Sequence, residues 1–276
     1  MKLLAWDTSQ KAGALVALEW DPENKAKGYR LVSEWAINVD STHSEQLLWG
    51  IHQLLQSVRW KLEDIDVFGV GVGPGSFTGL RIGITTARTL ASALNKPLIG
   101  VSSLAALARP AALWLAQQKS KTVLIACTDA CKGELFALWG NAKSLTDCVV
   151  LADGDYPGLW KRGAEEQVIS PDELMKAVRK KLAEGTQKEN VHWVAIGEGR
   201  NRYPDAWKLL PADQEIPCPV PFSDQVQGRY LGLLVWEAFQ AGLVRKPLEV
   251  HPRYVRASDA ELKLKAGLLP KGPTRG

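Results

Sequence analysis

A chain of 276 residues that is 46% hydrophobic can bury one large core or two modest ones. Its 34 basic and 30 acidic residues leave a formal charge of +4, too small for a dedicated nucleic-acid binder; direct RNA contact is allowed but not indicated, even with a local pair such as Lys161 and Arg162. Four cysteines (Cys127, Cys131, Cys148, Cys218) form no CxxC pair, which argues against a zinc cage and for buried, reduced thiols.

The opening "MKLLAWDTS" carries four apolar residues before Asp7, too few for a secretory core, and no run approaches membrane-spanning length. The expectation is a cytoplasmic protein without membrane contact. Lys2 to Trp6, Ala12 to Trp20 and Arg30 to Val39 are apolar runs separated by turn residues, which predicts a three-strand meander. Thr42 and Glu45 form a capping box, and Leu47, Leu48, Ile51, Leu54, Leu55 and Val58 recur at helical spacing behind it. Asp66 to Val72 reads as a strand, and a helix follows from about Thr78 to Asn95, capped by Ser76 or Thr78. "PLIGV" is a short strand; Ser102 or Ser103 then caps a third helix towards Gln118, kinked or split at Pro110.

The second half restarts in the same way. Thr122 to Thr128 ends at Asp129, Glu134 to Gly140 and Cys148 to Ala152 read as strands, and Ser170 caps a helix to about Leu182. Val191 to Ile196 is a strand, 201–221 reads as irregular, and Val226 to Gly242 is a helix. The order predicts a duplicated α/β unit, βββαβαβα, with a reduced second copy: a first lobe over 1–119, a second over 120–257 whose last helix (about 226–242) packs back on the first, and a tail over 258–276.

Three features could carry chemistry. Asp7, Thr8 and Ser9 end a buried strand, so the carboxylate either faces a phosphate or magnesium-bound water or closes its own turn. Asp129 holds the matching place in the second half, and two such carboxylates would face one cleft. "GVGPGSFTGLRIG", Gly71 to Gly83, resembles a phosphate loop but lacks the lysine and spacing of GxxxxGK[ST], and GxGxxG fails at Thr78. What remains is a tight turn through Gly73, Gly75 and Gly79 into a helix whose first turn carries Arg81. That arginine opposes the helix dipole and hints at a partner carboxylate or phosphate. Beyond it, Gly83, Ala87 and Ala91 make a small-residue ridge, flanked by Thr86 on one side and Leu90 on the other. The ridge allows close approach either of another helix or of the chain's own sheet. No HxxxH or HExxH occurs.

"WDTS", "HSEQLL", "GPGSFTGLRIG", "DACKGELF" and "PRYVR" together resemble the TsaB (YeaZ) family. The likeness is dense to about residue 140, thin over 141–250, and returns at Pro252, Tyr254 and Arg256. The resemblance implies a two-lobed, actin-like and Hsp70-like (ASKHA) α/β fold. It also implies a non-catalytic subunit of the complex that makes threonylcarbamoyladenosine at position 37 of tRNA. The catalytic relative TsaD carries a His-x-x-x-His metal pair where this chain has Ser103 and Leu107. Pairing with TsaD through the first two helices assigns Leu47, Gly50, Ile51, Leu54, Leu80, Gly83, Thr86, Ala87, Leu90 and Ala91 to the interface. A TsaE-like ATPase is a second implied partner, tRNA is reached only through the complex, and the subunit alone could homodimerise. ATP or ADP with magnesium at a complex interface is the cofactor the resemblance allows, with Asp7, Thr8, Ser9 and Asp129 as nucleotide-site candidates. The family usually has an aliphatic residue at Trp6 and often arginine after "DA", where Cys131 and Lys132 stand here.

Overall fold

β1 (Lys2–Asp7), β2 (Ala12–Glu19) and β3 (Arg30–Asn38) form the meander, and β1 is buried from Leu3 to Asp7. The computed structural model describes residues 1–20, 28–38, 43–118, 120–146, 165–183, 191–221 and 223–255. The capping box at Thr42, the strand at 148–152, the Lys161–Arg162 pair, Arg256 and the tail lie outside them.

α1 (His43–Ser57), β4 (Val67–Gly71), α2 (Phe77–Ala93), β5 (Leu98–Val101) and α3 (Ser103–Ala116) complete the first unit. Ser76 caps α2, its Oγ accepting from the Gly79 amide at 3.2 Å. Ser102 caps α3, its Oγ accepting from the Ala105 amide at 3.0 Å. α3 runs unbroken through Pro110. The first sheet has order β3-β2-β1-β4-β5, with β1, β4 and β5 parallel and the meander antiparallel.

The second sheet repeats the scheme with one strand fewer: β8-β7-β6-β9, from β6 (Thr122–Asp129), β7 (Leu135–Asn141), β8 (Glu165–Ile169) and β9 (His192–Ile196). β6 and β9 are parallel, as β1 and β4 are. The two-lobed α/β arrangement is therefore the duplicated unit expected from element order. β8 and the short α4 (Ala142–Thr146) are not legible in the sequence, because both sit in polar, weakly periodic stretches.

α5 (Pro171–Ala183) turns Leu174, Met175, Val178 and Leu182 inward. Its cap is reciprocal: Ser170 Oγ donates to Glu173 at 2.9 Å and accepts from the Glu173 amide at 3.3 Å. α6 (Glu198–Arg202) follows β9, and two short 3-10 turns lead to α7 (Gly228–Gln240). α7 lies on the first sheet. A Cβ on Gly69 of β4 would stand 2.5 Å from Val235, and one on Gly232 would stand 2.7 Å from Leu18. The first sheet thus has α1 and α2 on one face and α7 on the other, with α3 between α7 and the second sheet; one apolar cluster lies under α1 and α2, and the other runs from the first sheet through α7 and α3 to the second.

Candidate functional site

β1 delivers Asp7 into a fully enclosed position. Asp7 Oδ1 accepts from the Ser9 amide at 2.8 Å and from Ser9 Oγ at 2.6 Å; Oδ2 accepts from Ser103 Oγ at 2.5 Å. Burial raises the Asp7 value above its ordinary 3.8, opposed by the hydrogen bonds from Ser103 and Ser9. Thr8 Oγ1 donates to the Gly79 carbonyl at 2.7 Å, and the Ser76 amide donates to the Ser9 carbonyl at 2.7 Å.

The glycines of the 71–83 segment explain that closure. A Cβ on Gly71 would stand 1.7 Å from Asp7 Oδ2, and one on Gly75 would stand 2.4 Å from the Ser9 carbonyl oxygen. On Gly79 it would meet the Thr8 carbonyl oxygen at 2.0 Å, and on Gly83 Thr8 Oγ1 at 2.2 Å. Four glycines, spaced by four, therefore form a seat for the Asp7-Thr8-Ser9 turn. Gly73 has a separate reason: its φ of +99° favours glycine, and its amide donates to Ser103 Oγ at 3.1 Å. Ser103, where the catalytic relative is expected to carry a histidine, ties Asp7 to this turn; Leu107 lies in the core.

Two features singled out in the sequence take definite places here. The small-residue ridge faces inward: Gly83, Ala87 and Ala91 are buried, as are Leu80 of α2 and Leu47, Gly50, Ile51 and Leu54 of α1. A Cβ on Gly50 would meet Leu15 at 2.9 Å. The small residues serve close packing of helix on sheet, and of the ten interface candidates only Thr86 and Leu90 are half-buried and reach the surface. Arg81 is likewise held within the chain: its guanidinium lies 3.9 Å from the centre of the Phe77 ring, and its Nε donates to Tyr254 Oη at 3.3 Å.

Asp129, at the end of β6, is about a quarter exposed. It accepts from Tyr203 Oη and from the Cys131 amide, each at 2.9 Å, and pairs with Arg202 at 3.5 Å. It lines a cleft of about 700 Å³ with Ser9, Lys11, Phe77, Lys132, Glu198 and Arg253 among its walls. Burial first, and Asp129 second, push Glu198 up. Ser9 and Asp129 therefore share the cleft, whereas Asp7 lies beneath its wall. Both Asp7 oxygens are held by serine hydroxyls, the side chain is fully buried, and the Gly71 backbone closes on Oδ2, so the turn does not fit a magnesium-bound phosphate. Among the described residues no group of three or more His, Cys, Asp or Glu could hold a metal ion, and no helix is long and apolar enough to cross a membrane.

The outer face of α1 is different in character. Leu48 and Trp49 are 50% and 61% exposed, and Leu48 lines a groove of about 330 Å³ with His52, Leu55, Trp60 and Leu90. Such apolar exposure marks an interaction surface more often than a bare solvent face. The helical periodicity of α1 includes Leu48, but a narrower apolar stripe would suffice for the core; the surplus width is the signal the sequence offers.

Comparison with known proteins agrees with this geometry. The family model described as "TsaD: tRNA N6-adenosine threonylcarbamoyltransferase" matches residues 38–189, more than half of the chain. The tRNA threonylcarbamoyladenosine biosynthesis protein TsaB of Escherichia coli (strain K12) is 30% identical over 222 residues, covering 79% of this chain and 82% of that protein. The protein of the same name from Haemophilus influenzae is 28% identical over 256 residues, 93% of this chain and 94% of that one. The structure described as YeaZ from Pseudomonas aeruginosa shares the fold, with a TM-score of 0.65 at 24% identity over 91% of this chain and 98% of that chain. Fold, coverage and identity point the same way, and the chain belongs to the TsaB (YeaZ) family, with a two-lobed α/β architecture.

Proposed function

We propose that this chain acts in threonylcarbamoyladenosine modification of tRNA as a non-catalytic subunit that docks a TsaD-like enzyme through the outer faces of α1 and α2. The observation that carries the reading is the exposure of Leu48 and Trp49 on α1, with Leu48 opening on a groove that Leu90 of α2 closes. Tryptophan and its apolar neighbours are typical anchors of a protein interface. The names of the relatives supply the pathway. On this reading the buried residues of α1 and α2 set the spacing of the two helices, and the surface residues meet the partner. The two lobes, 1–119 and 120–257, serve as the scaffold; a TsaE-like ATPase engages another surface, and tRNA is reached through the assembled complex. ATP or ADP with magnesium is assigned to the contact with partners, because Asp7 is sealed.

The test is co-purification with the TsaD-like protein of the same cell. Trp49→Glu and Leu48→Lys are expected to reduce capture by at least tenfold while circular dichroism and melting stay unchanged; undiminished capture by both variants removes this surface from the proposal. A homodimer through the same face is a second reading, motivated by the same exposure. Sedimentation of the chain alone separates it, since Trp49→Glu would then convert dimer to monomer. An autonomous ATP-hydrolysing enzyme is disfavoured by the enclosure of Asp7, and ATP turnover by the chain alone that Asp7→Asn abolishes would restore it.

A further inference from the structure

The segment after α7 crosses the surface as a strap and is fastened at three places. Arg88 of α2 grips its start: Nε donates to the Val250 carbonyl at 2.6 Å, and an Nη donates to the Leu248 carbonyl at 3.1 Å and lies 2.7 Å from His251 Nδ1. The Arg253 amide donates to the Val72 carbonyl at 2.8 Å, and Tyr254 stacks on Phe77 with ring centres 5.1 Å apart. The third fastening crosses to the other lobe. The Arg253 guanidinium lies 2.7 Å from Glu166 on β8, whose side chain is fully buried. The other Glu166 oxygen accepts from Ser102 Oγ, at the cap of α3. Arg253 and Tyr254 also form one wall of the interlobe cleft.

We propose that the strap over residues 250–255 is a latch between the two lobes, locked by the Glu166–Arg253 contact and released by protonation of Glu166. A glutamate without solvent access holds its charge only through a close cation. Arg253 is that cation. Among the described residues the other groups around Glu166 are uncharged or engaged elsewhere: Ser102 from α3, Leu138 opposite it on β7, and Gln167 beside it on β8. Arg109 of α3 is turned to Glu237 and the Thr146 carbonyl, and His251 of the strap to Arg88. Burial pushes Glu166 up to about 7, against the pull of Arg253 and the Ser102 hydrogen bond. Withdrawing Arg253 while Glu166 stays packed under α3 removes that pull, so the carboxyl holds its proton more tightly. Release of the strap therefore takes up a proton and grows easier as pH falls. Because one strap walls the cleft and rests on α2, its release alters both surfaces together.

Hydrogen exchange of the full chain, corrected for the intrinsic pH dependence of exchange, tests this. Amides of 250–255 are expected to lose protection about tenfold, the equivalent of one pK unit, between about pH 8 and pH 6. Glu166→Gln is expected to remove the pH dependence and fix protection at the low-pH level, with β6 and α5 amides unchanged. Arg253→Gln gives the same loss without altering β8 and serves if the first variant does not fold. Wild-type protection that is flat with pH, or that rises as pH falls, overturns the latch, as does a Glu166→Gln strap as protected as the wild type at high pH.

Discussion

Asp7 and Asp129 end equivalent strands of a duplicated unit, yet they live in opposite surroundings. Asp7 is sealed by two serines and by Gly71, and three more glycines close on the Thr8–Ser9 turn beside it. Asp129 opens on a cleft, and the turn after it, with Cys131, Lys132 and Gly133 at positive φ, stands in solvent. The difference lies in the chain beyond the next parallel strand. After β4 it folds back over β1 as a glycine seat and a long helix; after β9 the short α6 leaves the end of β6 accessible. A position repeated by duplication thus keeps its place in the sheet while its chemistry is decided by the loop that covers it.

The sharpest way to break the comparison is at the glycines. Gly71→Ala drives a Cβ into Asp7 Oδ2 and is expected to cost about 3 kcal/mol or more, read as loss of the urea transition midpoint. Gly133→Ala, at φ +80° with nothing within 4 Å, is expected to cost about 1 kcal/mol by the same measurement. Equal effects would erase the distinction between a seat and a loose turn.

Next in size is removal of each charge. Asp7→Asn turns an amide towards the Ser103 hydroxyl, which now donates to it, and is expected to cost about 2 kcal/mol near neutral pH. Asp129→Asn, a quarter exposed and paired with an exposed arginine, is expected to cost below about 1 kcal/mol. The sign with pH comes from burial. The folded value of Asp7 lies above its ordinary 3.8, so its protonated form adds stability below that value and loses it as pH rises through the folded one. The deficit of Asp7→Asn should therefore shrink from acid to neutral pH in a series of melts; a deficit that grows would mean the carboxylate is stabilised as an anion.

The smallest effect is chemical and leaves the fold alone. Cys127 of β6 is buried and its thiol is pushed up to about 12, chiefly by that burial, whereas Cys131 is exposed four residues later. With a thiol reagent near pH 8, Cys131 should react within minutes and Cys127 only upon unfolding, by mass mapping of the labelled peptides. Prompt labelling of Cys127 would show that the end of β6 opens as well.

Much of the fold is legible because its signals are local. β1 to β3 are apolar runs between turn residues, α2 has a serine cap and an apolar stripe, and α5 has a reciprocal cap. The direction in which a small-residue face points is not local. Gly83, Ala87 and Ala91 announce close packing, but the partner, the Thr8 turn, lies some seventy residues earlier, and spacing cannot tell it from another chain. The same holds for Ser103 on Asp7 and Arg253 on Glu166, where ordinary residues gain their roles by meeting across the fold. Several of the tryptophans, without a role in the sequence, prove to be packing pieces with polar ends: Trp6 donates to the Gly83 carbonyl at 3.0 Å, and Trp193 donates to the Pro211 carbonyl at 2.9 Å while stacking on Trp207.

The seating of α7 on the first sheet has a consequence for how the chain is made. The face of β1, β2 and β4 that α7 covers is synthesised within the first seventy or so residues, yet its cover ends at Gln240. During translation that apolar face lacks its α7 cover until most of the chain has left the ribosome, although the strands of the first sheet are complete at Val101. Vectorial synthesis therefore ends where the fold began, and premature stops before α7 should yield chains that aggregate rather than half-proteins that persist.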